Sequence, residues 1–309
     1  MLMDRIFQAV AAKRNPSILG LDTRLEYLPA EMQDQWDAQA PLDSAAALIQ
    51  AFNYALIDAS ADIIPCVKIQ SAYYEMYGVQ GVNALKNTVD YAKNAGLFVI
   101  VDAKRNDIGS TADAYSDAYL GETTLPNTTS AAFGADMLTV NGYLGTDGIE
   151  PFLRNCKERD KGIFVLVKTS NPSSGQLQDR LLDDGKTVYE AMAELVETWG
   201  EGTAGDYGYA SVGAVVGATY PEQGAKLREA HAHMPFLVPG YGAQGATGAD
   251  LSLCFDHKGF GALINASRSL LCAHQKAPGL PYAQATRQEA LRMQADILAA
   301  FSEAGRLAY

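Results

Sequence analysis

The chain has 309 residues, 48% of them hydrophobic and 19% charged, and a formal net charge of −12. This is globular composition, long enough for a large core, and its acidic balance argues against a nucleic-acid backbone as partner. No apolar run approaches the ~20 residues of a membrane span, and Asp4 and Arg5 precede any apolar segment, so no secretory signal is expected and cytoplasmic residence follows.

Short apolar runs of strand length recur along the chain. The first is Ser17–Asp22, followed by a helical pattern over Asp43–Ser60. Ile63–Ile69 is next, then a helix over Gly81–Asn94 that stops before Gly96, a residue suited to the left-handed turn closing a helix. The third and fourth runs are Leu97–Asp102 and Asp136–Val140, and between them Gly121–Ala132, rich in Thr and Ser, reads as an irregular excursion. After the fifth run, Gly162–Thr169, the Ser-, Gly- and Asp-rich Asn171–Lys186 reads as a long loop, a lid or a passive one, before a helix over Thr187–Trp199. Ser211–Val216 leads to a helix opened by Pro221, Phe236–Pro239 and Gly261–Asn265 are the last two runs, and Ala285–Ala304 is helical.

Most of these runs are continuously hydrophobic, as parallel strands covered on both faces are. Eight of them alternating with helices fit one closed (β/α)8 barrel, a TIM barrel occupying residues 1–309 as a single catalytic domain. The competing open doubly wound sheet usually carries a glycine-rich phosphate turn after its first strand. Here that strand runs into Leu21-Asp22-Thr23-Arg24 instead.

Cys66, Cys156, Cys254 and Cys272 are widely spaced and read as buried reduced thiols. His231, His233, His257 and His274 do not converge with them, so no metal site is expected. His231 and His233 fall on different faces if their segment is helical.

Charges sit where strands should end. The first run ends at Asp22, the second carries Lys68, and the third ends in Asp102-Ala103-Lys104 with Asp107 close behind. Residues two apart in an extended chain share a side, so Asp102 and Lys104 point together. A simple ion pair on the barrel rim would explain an isolated Asp-x-Lys. Two lysines and two aspartates at one barrel mouth cost solvation free energy and fit a functional cluster better. Downstream, the seventh run leads into Pro239-Gly240-Tyr241-Gly242-Ala243-Gln244 and the eighth into Ser267-Arg268-Ser269. Loops after strands seven and eight are the usual phosphate site of such barrels, and an arginine fork suits phosphate. An anion bound by so acidic a chain must be met by such placed cations and amides. The residues by themselves point to a barrel enzyme acting on a small phosphorylated molecule.

The stretch from Asp102 to Thr111, Asp-Ala-Lys-Arg-Asn-Asp-Ile-Gly-Ser-Thr, resembles the Asp-x-Lys-x-x-Asp signature of the orotidine 5′-phosphate decarboxylases. Leu21-Asp22, Val67-Lys68, Thr169-Ser170-Asn171-Pro172, Val216-Gly217-Ala218-Thr219, Pro239-Gly240, Gln244 and Ser267-Arg268-Ser269 match in the same order, so the resemblance spans nearly the whole chain and is similar to the longer bacterial subfamily. Asn106 departs from it, standing where that subfamily usually has glycine.

The resemblance implies decarboxylation of orotidine 5′-monophosphate to UMP with no cofactor. Lys104 would protonate C6 within an array of Lys68, Asp102, Lys104 and Asp107, with Asp102 beside the substrate carboxylate. It implies a homodimer in which Asp107 and Thr111 cross to the neighbouring site. Asp22 and Thr111 would hold the ribose, Ser170 the pyrimidine, and Gln244 and Arg268 the phosphate, with Ile108, Pro239 and Ser267 completing the binding set. Relatives that share Asp-x-Lys-x-x-Asp but use Mg²⁺, the phosphoketose aldolases and keto-sugar-phosphate decarboxylases, carry an acid at the end of strand two. Lys68 stands there in this chain and would repel the ion. A non-catalytic nucleotide-binding barrel would have lost Asp102 or Lys104.

Overall fold

The computed structural model describes residues 1–242, 247–307 and 309. Eight parallel strands close into a barrel: β1 (Ser17–Leu21), β2 (Cys66–Gln70), β3 (Phe98–Arg105), β4 (Met137–Val140), β5 (Gly162–Lys168), β6 (Val212–Val216), β7 (Phe236–Pro239) and β8 (Ala262–Ala266). Each strand pairs with its sequence neighbours, and β1 closes the ring on β8 through Ser17 opposite Ile264. The outer layer contains α2 (Pro41–Ser60), α3 (Gly78–Asn94), α4 (Gly109–Tyr119), α5 (Thr146–Glu158), α6 (Val188–Gly200), α7 (Pro221–Ala230), α8 (Gly248–Ser252) and α9 (Tyr282–Glu303).

All eight expected strands form, with ends within three residues of the expected ones, and the barrel is confirmed. Helix boundaries follow local chemistry. Thr187 caps α6 in a capping box with Glu190, each side chain satisfying the other's backbone amide. Gly96 follows α3 at φ +79°, the left-handed turn a glycine adopts without penalty. Two expectations need correction. Gly121–Ala132 is not irregular: Thr123–Leu125 and Thr128–Ser130 form an antiparallel hairpin, whose β-branched threonines suit exposed strands. His231 and His233 do not share a helix, because α7 stops at Ala230. His231 caps it against Glu197 at 2.8 Å, and His233 meets the Gly208 carbonyl.

An N-terminal helix, α1 (Leu2–Lys13), precedes the barrel. Its apolar stripe of Leu2, Met3, Ile6, Phe7 and Val10 is fully buried and joins Ile18, Cys66, Ile100, Met137, Phe164 and Leu263 in one cluster. Those strand residues lie near the starts of their strands and point inward, so α1 stoppers the N-terminal end of the barrel. The alternate strand residues, such as Leu19, Val67, Val99 and Leu138, pack outward in the larger cluster beneath the helices.

The inward positions change character along β1, β2, β3, β4 and β8. Ile18 is followed two residues apart by Gly20 and Asp22, Cys66 by Lys68 and Gln70, Ile100 by Asp102 and Lys104, Met137 by Thr139, and Leu263 by Asn265. The period-two geometry of a strand therefore stacks an apolar floor under a polar mouth.

Candidate active site

A cavity of about 480 Å³ opens at the C-terminal ends of the strands. Its wall includes Asp22, Lys68, Asp102, Lys104 and Thr139 on one side, with Ser170, Leu237, Pro239 and Asn265 across it. The glycine at position 20 gives room for this wall: a Cβ there would fall 2.0 Å from Ser267 Oγ and 2.7 Å from Asn265 Oδ1.

Asp102 is the hub. Lys68 Nζ donates to Oδ2 at 2.8 Å and Lys104 Nζ donates to Oδ1 at 2.6 Å. Lys68 also reaches Asp22 Oδ1 at 3.2 Å. Lys68 and Asp102 are buried, with 3% and 7% of their surface exposed. Burial alone would push the Lys68 ammonium toward neutrality, but the carboxylates of Asp22 and Asp102 outweigh it and hold its pKa above the ordinary lysine value. Burial likewise opposes the charged form of Asp102, and the charges and hydrogen bonds of Lys68 and Lys104 overcome it, holding the carboxyl well below the usual carboxylate range. Lys68 and Asp102 are thus both charged at neutral pH.

The arrangement presents a fixed carboxylate beside an accessible ammonium. Such a pair can repel a substrate carboxylate at one point and offer a proton at the next. Two residues that the sequence did not mark belong to the same cluster. Gln70 donates to Asp102 Oδ2 at 2.9 Å, and Thr139 donates to Oδ1 at 2.8 Å. Their inward parity was the available signal, since both lie two residues from an inward-facing neighbour.

Asp107, Ile108 and Thr111 lie outside this cavity. Asp107 Oδ1 accepts the Ile108 backbone N–H at 2.8 Å, Ile108 is 56% exposed, and Thr111 is exposed on the first turn of α4. Ser267 precedes the four-residue helix Arg268–Leu271, and Arg268 is exposed at its start. Gln244 lies outside the described residues. Asn106 has no positive φ, so the local backbone does not require the subfamily's glycine. Its amide instead donates to the Asn141 and Gly148 carbonyls, tying the loop after β3 to the loop and helix after β4.

The Asn171–Lys186 segment is strapped to the end of β5. Lys168, fully buried, donates to Asp179 at 2.6 Å and lies 4.5 Å from the centre of the Tyr220 ring. Gln178 accepts the Thr169 N–H at 3.0 Å and donates back to Thr169 Oγ1 at 2.8 Å. Asn171 and Gln178 thereby become part of the cavity wall. Opposite them, Gly217 packs so close to Ser170 that a Cβ would meet its side chain at 2.8 Å.

The four cysteines are buried and unbridged. Burial pushes Cys156 up to about 12 and Cys254 up to about 11, which keeps both as inert thiols. Among the described residues no group of three or more His, Cys, Asp or Glu is arranged to hold a metal ion, and no helix is long and apolar enough to cross a membrane.

Residues 29–277 match the model of the orotidine 5′-phosphate decarboxylase / HUMPS family. Orotidine 5′-phosphate decarboxylase of Rhodopirellula baltica is 47% identical over 268 residues, covering 87% of each chain. Among solved structures, OMP decarboxylase of Leishmania donovani aligns with a TM-score of 0.75 and 30% identity over 97% of this chain and 98% of its own. UMP synthase of the same organism aligns with a TM-score of 0.77 and 31% identity, and this chain spans 56% of its length. By family model, sequence and fold together, the chain belongs to the orotidine 5′-phosphate decarboxylase / HUMPS family.

Proposed function

We propose that this protein is a cytoplasmic, cofactor-free decarboxylase, a single barrel domain that converts orotidine 5′-monophosphate to UMP in pyrimidine nucleotide synthesis. The observation that carries this reading is the Lys68–Asp102–Lys104 array at the cavity mouth, in which Lys68 and Asp102 are buried and Lys104 is open to the cavity. The C6–carboxylate bond breaks, its electron pair stays on C6, and CO2 departs. The Lys104 ammonium stabilises that developing charge and then transfers a proton to C6, and solvent restores the proton to the amine. Asp102, locked by its donors, stands beside the departing carboxylate.

The remaining roles are those the family resemblance implies. Asp22 lies where it can hold a ribose hydroxyl, and Ser170 and Pro239 face it across the cavity as pyrimidine contacts. Ser267, Arg268 and Gln244 take the phosphate end, whose binding energy can orient the reacting ring from a distance. A homodimer supplies the rest: Asp107, Ile108 and Thr111 are not among the residues lining their own cavity and would serve the neighbouring one. Exposed Met76, Ile108, Tyr143 and Leu144 on the loops after β2, β3 and β4 favour an apolar contact there.

Lys68 also weighs against the metal-dependent reading, because a buried ammonium at the end of β2 disfavours a divalent cation in that place. The test is an assay of purified protein in a chelating buffer. Loss of orotidine monophosphate absorbance is expected there, and Lys104→Ala is expected to abolish it while the fold persists. Turnover that appears only on adding Mg²⁺ would sink the cofactor-free mechanism.

A further inference from the structure

Lys104 has a backbone φ of +49°, a left-handed conformation that is unusual for a non-glycine residue and costs on the order of 1–3 kcal/mol unless its surroundings hold it. The pairing of β3 with β4 is irregular at the same place, its register shifting between Val101 and Arg105. The kink turns the Lys104 side chain back toward Asp102 and takes its N–H out of the strand ladder.

The Thr139 hydroxyl fills that gap. It accepts the Lys104 backbone N–H at 3.0 Å. With that side of the oxygen engaged by a donor, its own proton goes to Asp102 Oδ1 at 2.8 Å, the same oxygen that receives Lys104 Nζ. Thr139 is buried, with 1% exposed. Lys68 and Gln70 hold the other carboxylate oxygen. Asp102 therefore has two donors on each oxygen and no freedom to rotate away from an approaching anion.

We infer that Thr139 is a positioning residue for the reaction, whose one hydroxyl fixes both the strained Lys104 backbone and the Asp102 carboxylate. The inference rests on the proposal that Lys104 is the proton donor. It predicts a kinetic pattern different from that of simple support, because the cost falls on the reacting pair and spares the ribose and phosphate contacts. Misplacing that pair is expected to cost about 10- to 100-fold in turnover.

The test compares Thr139→Val, which is nearly the same shape, with Thr139→Ser, which retains the hydroxyl, and carries Thr139→Ala in parallel should the valine variant not fold. The variants lacking the hydroxyl are expected to lose about 10- to 100-fold in kcat with KM and UMP affinity within about threefold, and serine to restore most of the loss. An independent reading comes from the Asp102 carboxyl carbon followed by NMR against pH. The charged groups facing it are Lys68 from β2 and Lys104 from β3, with Asp22 from β1 beyond Lys68. Removing one donor to the ionised form should raise its titration midpoint in the valine or alanine variant, and serine should return it.

Equal kcat in wild type and the hydroxyl-free variants, no rescue by serine, or an unmoved Asp102 titration would each overturn the inference. Wild-type protein without orotidine monophosphate turnover would instead overturn the functional reading, and the titration would still decide whether Thr139 governs Asp102.

Discussion

Lys68 and Lys104 hold opposite oxygens of one carboxylate, yet the Lys68 side chain is 4% exposed and that of Lys104 is 44% exposed. The two lysines therefore divide the work. Lys104 faces the cavity, where an arriving substrate can reach its ammonium. Lys68 is enclosed and braces Asp102 from behind while also meeting Asp22.

Substitution should separate these roles. Lys68→Met leaves a buried carboxylate with one cation fewer, and breaking a buried pair costs about 3 kcal/mol or more. Lys104→Met removes an exposed partner and should cost no more than about 1 kcal/mol in stability. Turnover is expected to vanish in the Lys104 variant and to fall sharply in the Lys68 variant. Urea melts with activity measured on the same preparations check this. Equal loss of stability in both would contradict the division.

The strap over β5 predicts a second asymmetry. Lys168 is fully buried, whereas the Asp179 side chain is 40% exposed. Removing the lysine leaves a carboxylate that water can solvate, so Lys168→Met should cost about 1 kcal/mol or less. Removing the aspartate strands an ammonium among Tyr189, Tyr220 and Ser174. Asp179→Ala should therefore cost more, on the order of 2–3 kcal/mol. Both should raise KM, because the strap carries Asn171 and Gln178 to the cavity wall. Thermal melts decide the order, and a lysine variant less stable than the aspartate variant would refute the argument.

Much of this was legible from residue order. Near-continuous apolar runs marked the eight strands, and charges at their ends marked the mouth. Asp22, Lys68, Asp102 and Lys104 do meet there: the first three sit at inward positions one step beyond an apolar or glycine residue, and Lys104 follows Asp102 at the kink in β3. Other features were hidden for physical reasons. The stopper helix α1 has Met1 at its capping position, with no Ser, Thr, Asp or Asn there to announce it. The hairpin at Thr123–Ser130 is made of threonines that suit a polar loop as well as an exposed strand. Thr139 looks like ordinary β-propensity, and its importance comes only from the kink at Lys104 on the neighbouring strand. Lys168 reads as the last residue of an apolar strand until Asp179 folds back onto it.

The shifted titrations predict how stability depends on pH. Asp102 is held below its ordinary value of 3.8, so its contribution is present above 3.8 and is lost as pH falls through the lower folded value. Lys68 is held above 10.5, so its contribution is present below 10.5 and is lost as pH rises through the higher folded value. The stabilisation from this pair should be level between those limits. The difference in unfolding free energy between wild type and Asp102→Asn should hence stay constant from about pH 5 to 9 and narrow below about pH 4. Chemical denaturation across that range checks it, and a difference that grew on acidification would reverse the sign of the argument.

The proposed dimer makes a prediction that no single-chain effect can imitate. If each site combines Lys104 of one subunit with Asp107 of the other, Lys104→Ala and Asp107→Ala proteins are each inactive alone. In a mixed dimer one site carries both lesions and the other carries neither. Equal amounts allowed to exchange give mixed dimers in half of the population, so roughly a quarter of all sites should be intact. Activity should therefore rise from near zero to about that fraction of wild type, with a time course that follows subunit exchange. Light scattering or native mass spectrometry of differently tagged subunits can establish that exchange has occurred. If mixed dimers are present and activity stays at the level of the parents, Asp107 acts within its own chain or not at all. The half-buried position of Asp107, outside its own cavity and bonded only to the neighbouring Ile108 amide among the described contacts, favours recovery.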